Sequence, residues 1–224
     1  MNLIVVIVAG GSGRRMGNEL PKQFLSLLGK PILIRTIAAF RDALPQALIR
    51  VVIPQPYMDM TSEMIREYNL NHQLELVEGG ETRFNSVKNG IQGCGTDSLI
   101  LVHDAVRCLV SNQLIQRCVS HAVQNGSAIP VVAVRDSMRK LTNERTSEVV
   151  DREGLYIVQT PQVFLSSILL QAFDQEYQKA FTDEASVVES TGHPVSLVEG
   201  EHRNIKITFP EDLIVASCLV QNDQ

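Results

Sequence analysis

The run Leu3-Ile4-Val5-Val6-Ile7-Val8-Ala9-Gly10-Gly11-Ser12-Gly13-Arg14-Arg15-Met16-Gly17 decides how the rest of the chain is read. Its unbroken apolar opening cannot alternate in and out of water, so residues 3–8 predict a strand buried on both faces. The glycines that follow let backbone N–H groups close on phosphate oxygens. Arg14, Arg15 and, after Pro21, Lys22 add the positive charge that a polyphosphate needs. Two standard nucleotide loops fail on this stretch. No glycine is followed five positions later by Gly-Lys-Ser/Thr, and Gly11-Ser12-Gly13 meets Met16 where a dinucleotide fingerprint carries its third glycine. Four glycines, two arginines and a lysine within 13 positions still favour a nucleoside triphosphate over a bare tight turn.

Further apolar runs at residues 48–53, 74–77, 98–102 and 128–134 alternate with helix-like stretches at 31–40, 57–68, 83–91 and 112–123. That alternation predicts an α/β fold: a mostly parallel, Rossmann-like sheet covered by helices on both faces, its ligands beyond the carboxyl ends of the strands. The pattern breaks after Val134. Residues 135–142 and 148–158 are β-like and polar, and predict a projecting β-ribbon at about 134–158 inserted in one domain spanning 1–224. A partner contact and a plain surface hairpin suit that ribbon equally. Helices at 165–179 and 183–190, strands at 195–198 and 204–209, and a last helix opened by Pro210 complete the reading.

Composition narrows the function. The 224 residues are 44% hydrophobic and 20% charged, with a formal net charge of -5, which excludes a disordered chain. The acidic balance disfavours a general nucleic-acid binder. Nothing approaches the roughly 18 apolar residues of a membrane span, so a soluble, cytoplasmic protein is expected. Cys94, Cys108, Cys118 and Cys218 form no close pairs, and the five histidines lack the spacing of a metal cage. Asp104, just past the buried run at 99–102, falls at the carboxyl edge of the sheet. One carboxylate plus phosphate oxygens is the usual way to hold Mg2+, which makes Asp104 a metal-ligand candidate rather than a turn cap. Arg107 could share that site or pair with Asp104. Lys206, between Ile205 and Ile207, reads alone as a solvent-facing residue, and Thr182 with Asp183 reads as a helix cap.

Ordered motifs extend the reading. Ala9 to Met16 with Pro21-Lys22-Gln23, Val102-His103-Asp104-Ala105, Val134-Arg135-Asp136, Val150-Asp151-Arg152, Thr160-Pro161-Gln162, Thr182-Asp183-Glu184-Ala185-Ser186 and Asn204-Ile205-Lys206 together resemble the 2-C-methyl-D-erythritol 4-phosphate cytidylyltransferase family. The resemblance implies a CTP site at Ala9, Gly10, Gly11, Ser12, Gly13, Arg14, Gly80, Glu81 and Ser86, with Arg15, Lys22 and Lys206 acting in catalysis. It implies acceptor contacts at Arg107, Ser137, Arg152, Thr160, Thr182 and Asp183, and a homodimer whose ribbon crosses into the partner's site. Three positions depart from the pattern: Glu81 for Asp, Ser137 for Thr, and Cys108 for Pro. The implied reaction joins a phosphate oxygen of methylerythritol phosphate to the α-phosphorus of CTP and expels pyrophosphate. Other polyol phosphates, ribitol 5-phosphate among them, suit the same acceptor residues, and a non-catalytic nucleotide sensor is a reading of another class.

Overall fold

The computed structural model describes residues 1–10 and 20–222. Gly11, Ser12, Gly13, Arg14 and Arg15 therefore lie outside the described residues. The chain runs through β1 (Asn2–Val8), β2 (Ser26–Leu27), β3 (Lys30–Pro31), α1 (Ile32–Ala43), β4 (Leu48–Ile53), α2 (Met58–Glu67), β5 (Leu74–Glu78), α3 (Arg83–Ile91), β6 (Ser98–Asp104) and α4 (Asn112–Asn125). It continues through β7 (Ser127–Ala133), β8 (Met138–Leu141), β9 (Ser147–Val150), β10 (Tyr156–Val158), β11 (Gln162–Leu165), α5 (Ser166–Ala172), α6 (Glu184–Glu189), β12 (Leu197–Glu199) and α7 (Pro210–Gln221).

In the main sheet β5, β4, β1 and β6 are parallel neighbours, β11 joins β6 and β7 antiparallel, and β7 also carries β10 and β12. The apolar runs are continuous because both faces are covered. Val5, Ile7, Val51 and Leu101 pack under α1 and α4, while Ile4, Val6, Val52 and Val102 pack under α3, α5 and α6. Each such aliphatic side chain stabilises the fold by roughly 1.5–3 kcal/mol on burial.

Strand order runs outward from β1 through β4 to β5 on one side and to β6 on the other, so the direction of winding reverses between β1 and β6. Strand ends at such a reversal splay apart and leave a crevice. Ala9 N–H donates to Val52 O at 2.9 Å, Ala105 N–H to Val8 O at 3.0 Å and Gly79 N–H to Ile53 O at 2.9 Å, which aligns four strand ends along its rim.

Three sequence expectations need correction. Residues 204–209 form no strand. Ile207 is fully buried and Lys206 faces out, as alternation requires, but the Ile207 carbonyl is met by the Lys22 ammonium at 2.8 Å instead of a neighbouring strand's N–H. The helix expected at 165–179 stops at Ala172, because Phe173, Tyr177 and Phe181 gather about Phe84, with ring centroids 4.7, 6.0 and 5.6 Å away. The polar stretch at 148–158 splits in two. β9 pairs with β8 alone, whereas β10 adds to β7 in the main sheet.

Candidate active site

A cleft of about 230 Å3 opens at the reversal. Gly10 from the end of β1, Lys22 from the turn that follows, Gly80, Glu81, Arg83 and Ser86 from the β5–α3 junction, Asp104 from the end of β6 and Lys206 all line it. Seven of these were legible in the sequence; Arg83 was not. The β5–α3 wall is built by close approach. A Cβ on Gly80 would lie 2.4 Å from the Asn85 Cβ, so only glycine fits, and the Gly80 N–H donates to Ser86 Oγ at 3.1 Å. Across the cleft, a Cβ on Gly10 would come within 3.4 Å of the same hydroxyl. Ser86 thereby sets the spacing between the two glycine segments, and Thr82 caps α3 by accepting from Asn85 N–H at 3.1 Å.

Asp104 forms the floor, its side chain 10% exposed. Its Oδ2 faces Lys206 Nζ at 2.9 Å and Arg107 Nε at 3.6 Å, and its Oδ1 accepts from Arg83 Nε at 3.3 Å and Nη2 at 3.2 Å. Burial penalises the carboxylate, but Arg83, Lys206 and Arg107 outweigh that cost and hold its pKa well below the usual range. Arg83 reaches on to Glu184, which is buried at the start of α6. Burial opposes the charge on Arg83, and the carboxylates of Glu184 and Asp104 restore it and push its pKa up.

Behind Asp104 runs a chain of hydrogen bonds whose polarity is fixed by its end. The Arg107 carbonyl can only accept, so His103 Nε2 donates to it at 3.1 Å, and His103 Nδ1 must then accept from the Thr160 hydroxyl at 3.0 Å. That leaves Thr160 Oγ1 to accept from Asp104 N–H at 3.1 Å. His103 is fully buried, which lowers its pKa to about 3 and keeps it neutral. Arg107 Nη1 donates to Asn204 O at 2.8 Å, and Asn204 Nδ2 to Thr160 O at 2.8 Å, so the same network anchors the segment that presents Lys206.

The remaining sequence candidates sit elsewhere. Arg107 and Thr160 back the floor without lining the cleft. Asp183 caps α6 by accepting from Ser186 N–H at 2.9 Å through Oδ1 and from Gln162 Nε2 at 2.9 Å through Oδ2, and Thr182 N–H donates to Ser186 Oγ at 3.1 Å. Ser137 precedes β8 and Arg152 follows β9; Arg152 is exposed and donates to the Arg135 carbonyl. The cleft thus joins the described CTP-side candidates Ala9, Gly10, Gly80, Glu81 and Ser86 to Asp104, and leaves the ribbon residues apart.

The sequence profile of 2-C-methyl-D-erythritol 4-phosphate cytidylyltransferase matches residues 3–222. The chain belongs to that family. The cytidylyltransferase of this name from Bacteroides fragilis is 47% identical over 215 residues, 96% of this chain and 98% of its own. The crystal structure of the Thermus thermophilus cytidylyltransferase superposes with a TM-score of 0.80 at 34% identity, covering 99% of this chain and 100% of that one. The Francisella tularensis cytidylyltransferase gives 0.82 at 31% identity, over 97% and 99%. The family's core architecture, a largely parallel sheet between helices, is the one described above.

The site residues missed by sequence reasoning are Arg83, Glu184 and His103. Arg83 follows Glu81 by two positions and Glu184 sits inside a quoted motif, but each reads alone as an ordinary first-turn residue. Only the fold brings them together across 101 positions.

Proposed function

We propose that the chain transfers the cytidylyl group of CTP to 2-C-methyl-D-erythritol 4-phosphate. An oxygen of the acceptor phosphate attacks the α-phosphorus of CTP, the bond from that phosphorus to the bridging oxygen of the β-phosphate breaks, and pyrophosphate leaves with both bonding electrons. The observation that carries this reading is the cleft between β1 and β6, lined by Lys22, Arg83 and Lys206 around one ionised carboxylate. An ionised phosphate is already a nucleophile, so the reaction asks for positioning and charge stabilisation more than for proton transfer. The groups present agree. His103 has both ring nitrogens engaged and stays neutral in the core, and Asp104 is held ionised by cations, so neither is set up as a general base.

On this reading Gly10, Gly80, Glu81 and Ser86 hold the nucleoside end, and Lys22, Lys206 and the arginines of the glycine loop, Arg14 and Arg15, meet the phosphates. Mg2+ would be held by Asp104 through Oδ2 in place of the Lys206 ammonium, since Oδ1 is taken by Arg83. Among the described residues no group of three His, Cys, Asp or Glu side chains is placed to hold a metal, and Asp104 offers one carboxylate at the cleft floor. That suits an ion that keeps several waters and takes substrate phosphate oxygens. Bound there, it would neutralise charge on the triphosphate. We assign Arg107, Thr160, Thr182 and Asp183 to the acceptor, with Ser137 and Arg152 supplied by the ribbon of a second copy in a homodimer. The ribbon's exposed Leu141 and Val149 support that last assignment, being 75% and 74% exposed in a single chain. No described helix is long and apolar enough to cross a membrane, and the four cysteines are free, which suits a reducing cytoplasm.

The test is pyrophosphate release from CTP with methylerythritol 4-phosphate and ribitol 5-phosphate in parallel, with and without a chelator of Mg2+. Chelator-sensitive release with the first acceptor alone is expected. Release with ribitol phosphate alone would overturn the acceptor assignment, and silence with both would favour a nucleotide sensor.

A further inference from the structure

Arg83 does more than line the cleft. One guanidinium joins three elements: it starts α3, donates twice to Asp104 Oδ1 at the end of β6, and pairs with Glu184 in the first turn of α6, with Nη2 to Oε2 at 3.1 Å. Glu184 is 1% exposed and absent from the cleft wall, so its carboxylate serves Arg83 and no solvent-borne ligand. Buried carboxylates are costly unless paired, and here one cation satisfies two of them. The contact also fixes which oxygen of Asp104 does what. Oδ1 is committed to Arg83, and Oδ2 is turned toward Lys206. Glu184 directly follows the turn of Thr182 and Asp183, and the aromatic stack of Phe84 on Phe173 and Phe181 holds α3 against that same segment.

We propose that Arg83 and Glu184 are positioning residues for the reaction: Glu184 aims the guanidinium, the guanidinium fixes the Asp104 carboxylate, and the pair locks the 182–184 turn to the cleft floor. The inference rests on the cytidylyl-transfer reading for its kinetic part alone. Removing such support loosens a reacting geometry, and loosening of that order costs about 10- to 100-fold in rate.

The kinetic test compares wild type with Glu184→Gln and Arg83→Lys, separating kcat from KM, alongside far-UV circular dichroism and direct CTP binding. A kcat lowered by about tenfold or more is expected in both variants, with the KM for CTP within about twofold of wild type. The Arg83→Lys effect should shrink to near nothing in an Asp104→Asn background, because it acts through that carboxylate. A full, independent loss in that background overturns the proposal. So does a loss carried by CTP affinity, which would make Arg83 a nucleotide contact. Crystal structures of wild type and Glu184→Gln supply a readout free of turnover. Asp104 Oδ2 turned away from Lys206, with the 182–184 turn displaced, is expected, and unchanged positions refute the proposal even if wild type transfers no cytidylyl group.

Discussion

At the scale of single residues the site is defined by what each polar group is denied. His103 is denied its proton. With a pKa near 3 in the fold against 6.5 outside it, the unfolded chain takes up a proton that the folded chain refuses over that interval, so stability must fall as pH drops below 6.5. The slope has a ceiling of about 1.4 kcal/mol per pH unit. Denaturant midpoints measured from pH 6.5 to 5 should decline in wild type and decline less in His103→Gln, whose amide can donate to Arg107 O and accept from Thr160. Equal slopes would place the titration elsewhere. Lys22 is denied full freedom, since its ammonium donates to the Ile207 carbonyl at 2.8 Å and so pins the segment carrying Lys206. Lys22→Ala should lower kcat by about 100-fold or more, with CTP affinity falling less; a kcat near wild type would remove Lys22 from the reaction.

Elements were legible in proportion to how local their causes are. α3 spans the residues 83–91 that its helix-like pattern put there, and β4 is bounded as its run of apolar residues suggested. Residues 204–209 misled because alternation reports an extended chain with one buried side, and says nothing of whether a strand lies alongside. Helix α5 ended early for a reason found 80 and more positions away, in the ring of Phe84. The site followed the same rule. Gly10, Asp104 and Lys22 were readable because they stand at strand ends or in motifs, and Gly80 and Ser86 through the family resemblance, whereas the link from Arg83 to Glu184 exists only once α3 and α6 are packed on one face. Packing at that face gives a prediction of its own. A Cβ on Gly90 would come within 2.5 Å of Val6 Cγ1 and 2.8 Å of Val52 Cγ2. Although alanine is the better helix former, by up to about 1 kcal/mol, overpacking costs about 1–3 kcal/mol, so Gly90→Ala should lower the thermal midpoint; an unchanged or higher midpoint would show that α3 has room to move.

For the whole molecule, a cleft carries the described nucleotide-side groups, and a ribbon carries Ser137 and Arg152 away from it. In the proposed homodimer, the ribbon of a second copy would close that separation. Leu141→Asp combined with Val149→Asp should shift the protein toward monomer in sedimentation and cut turnover about tenfold or more, while CTP binding persists; a fully active monomer would detach the ribbon from catalysis. Isotopes report directly which bond forms. With CTP and methylerythritol phosphate carrying 18O in its phosphate, 31P NMR should find every label in the diphosphate linking cytidine to the acceptor and none in pyrophosphate. Appearance of CMP as the nucleotide product, or of label in free phosphate, would contradict cytidylyl transfer.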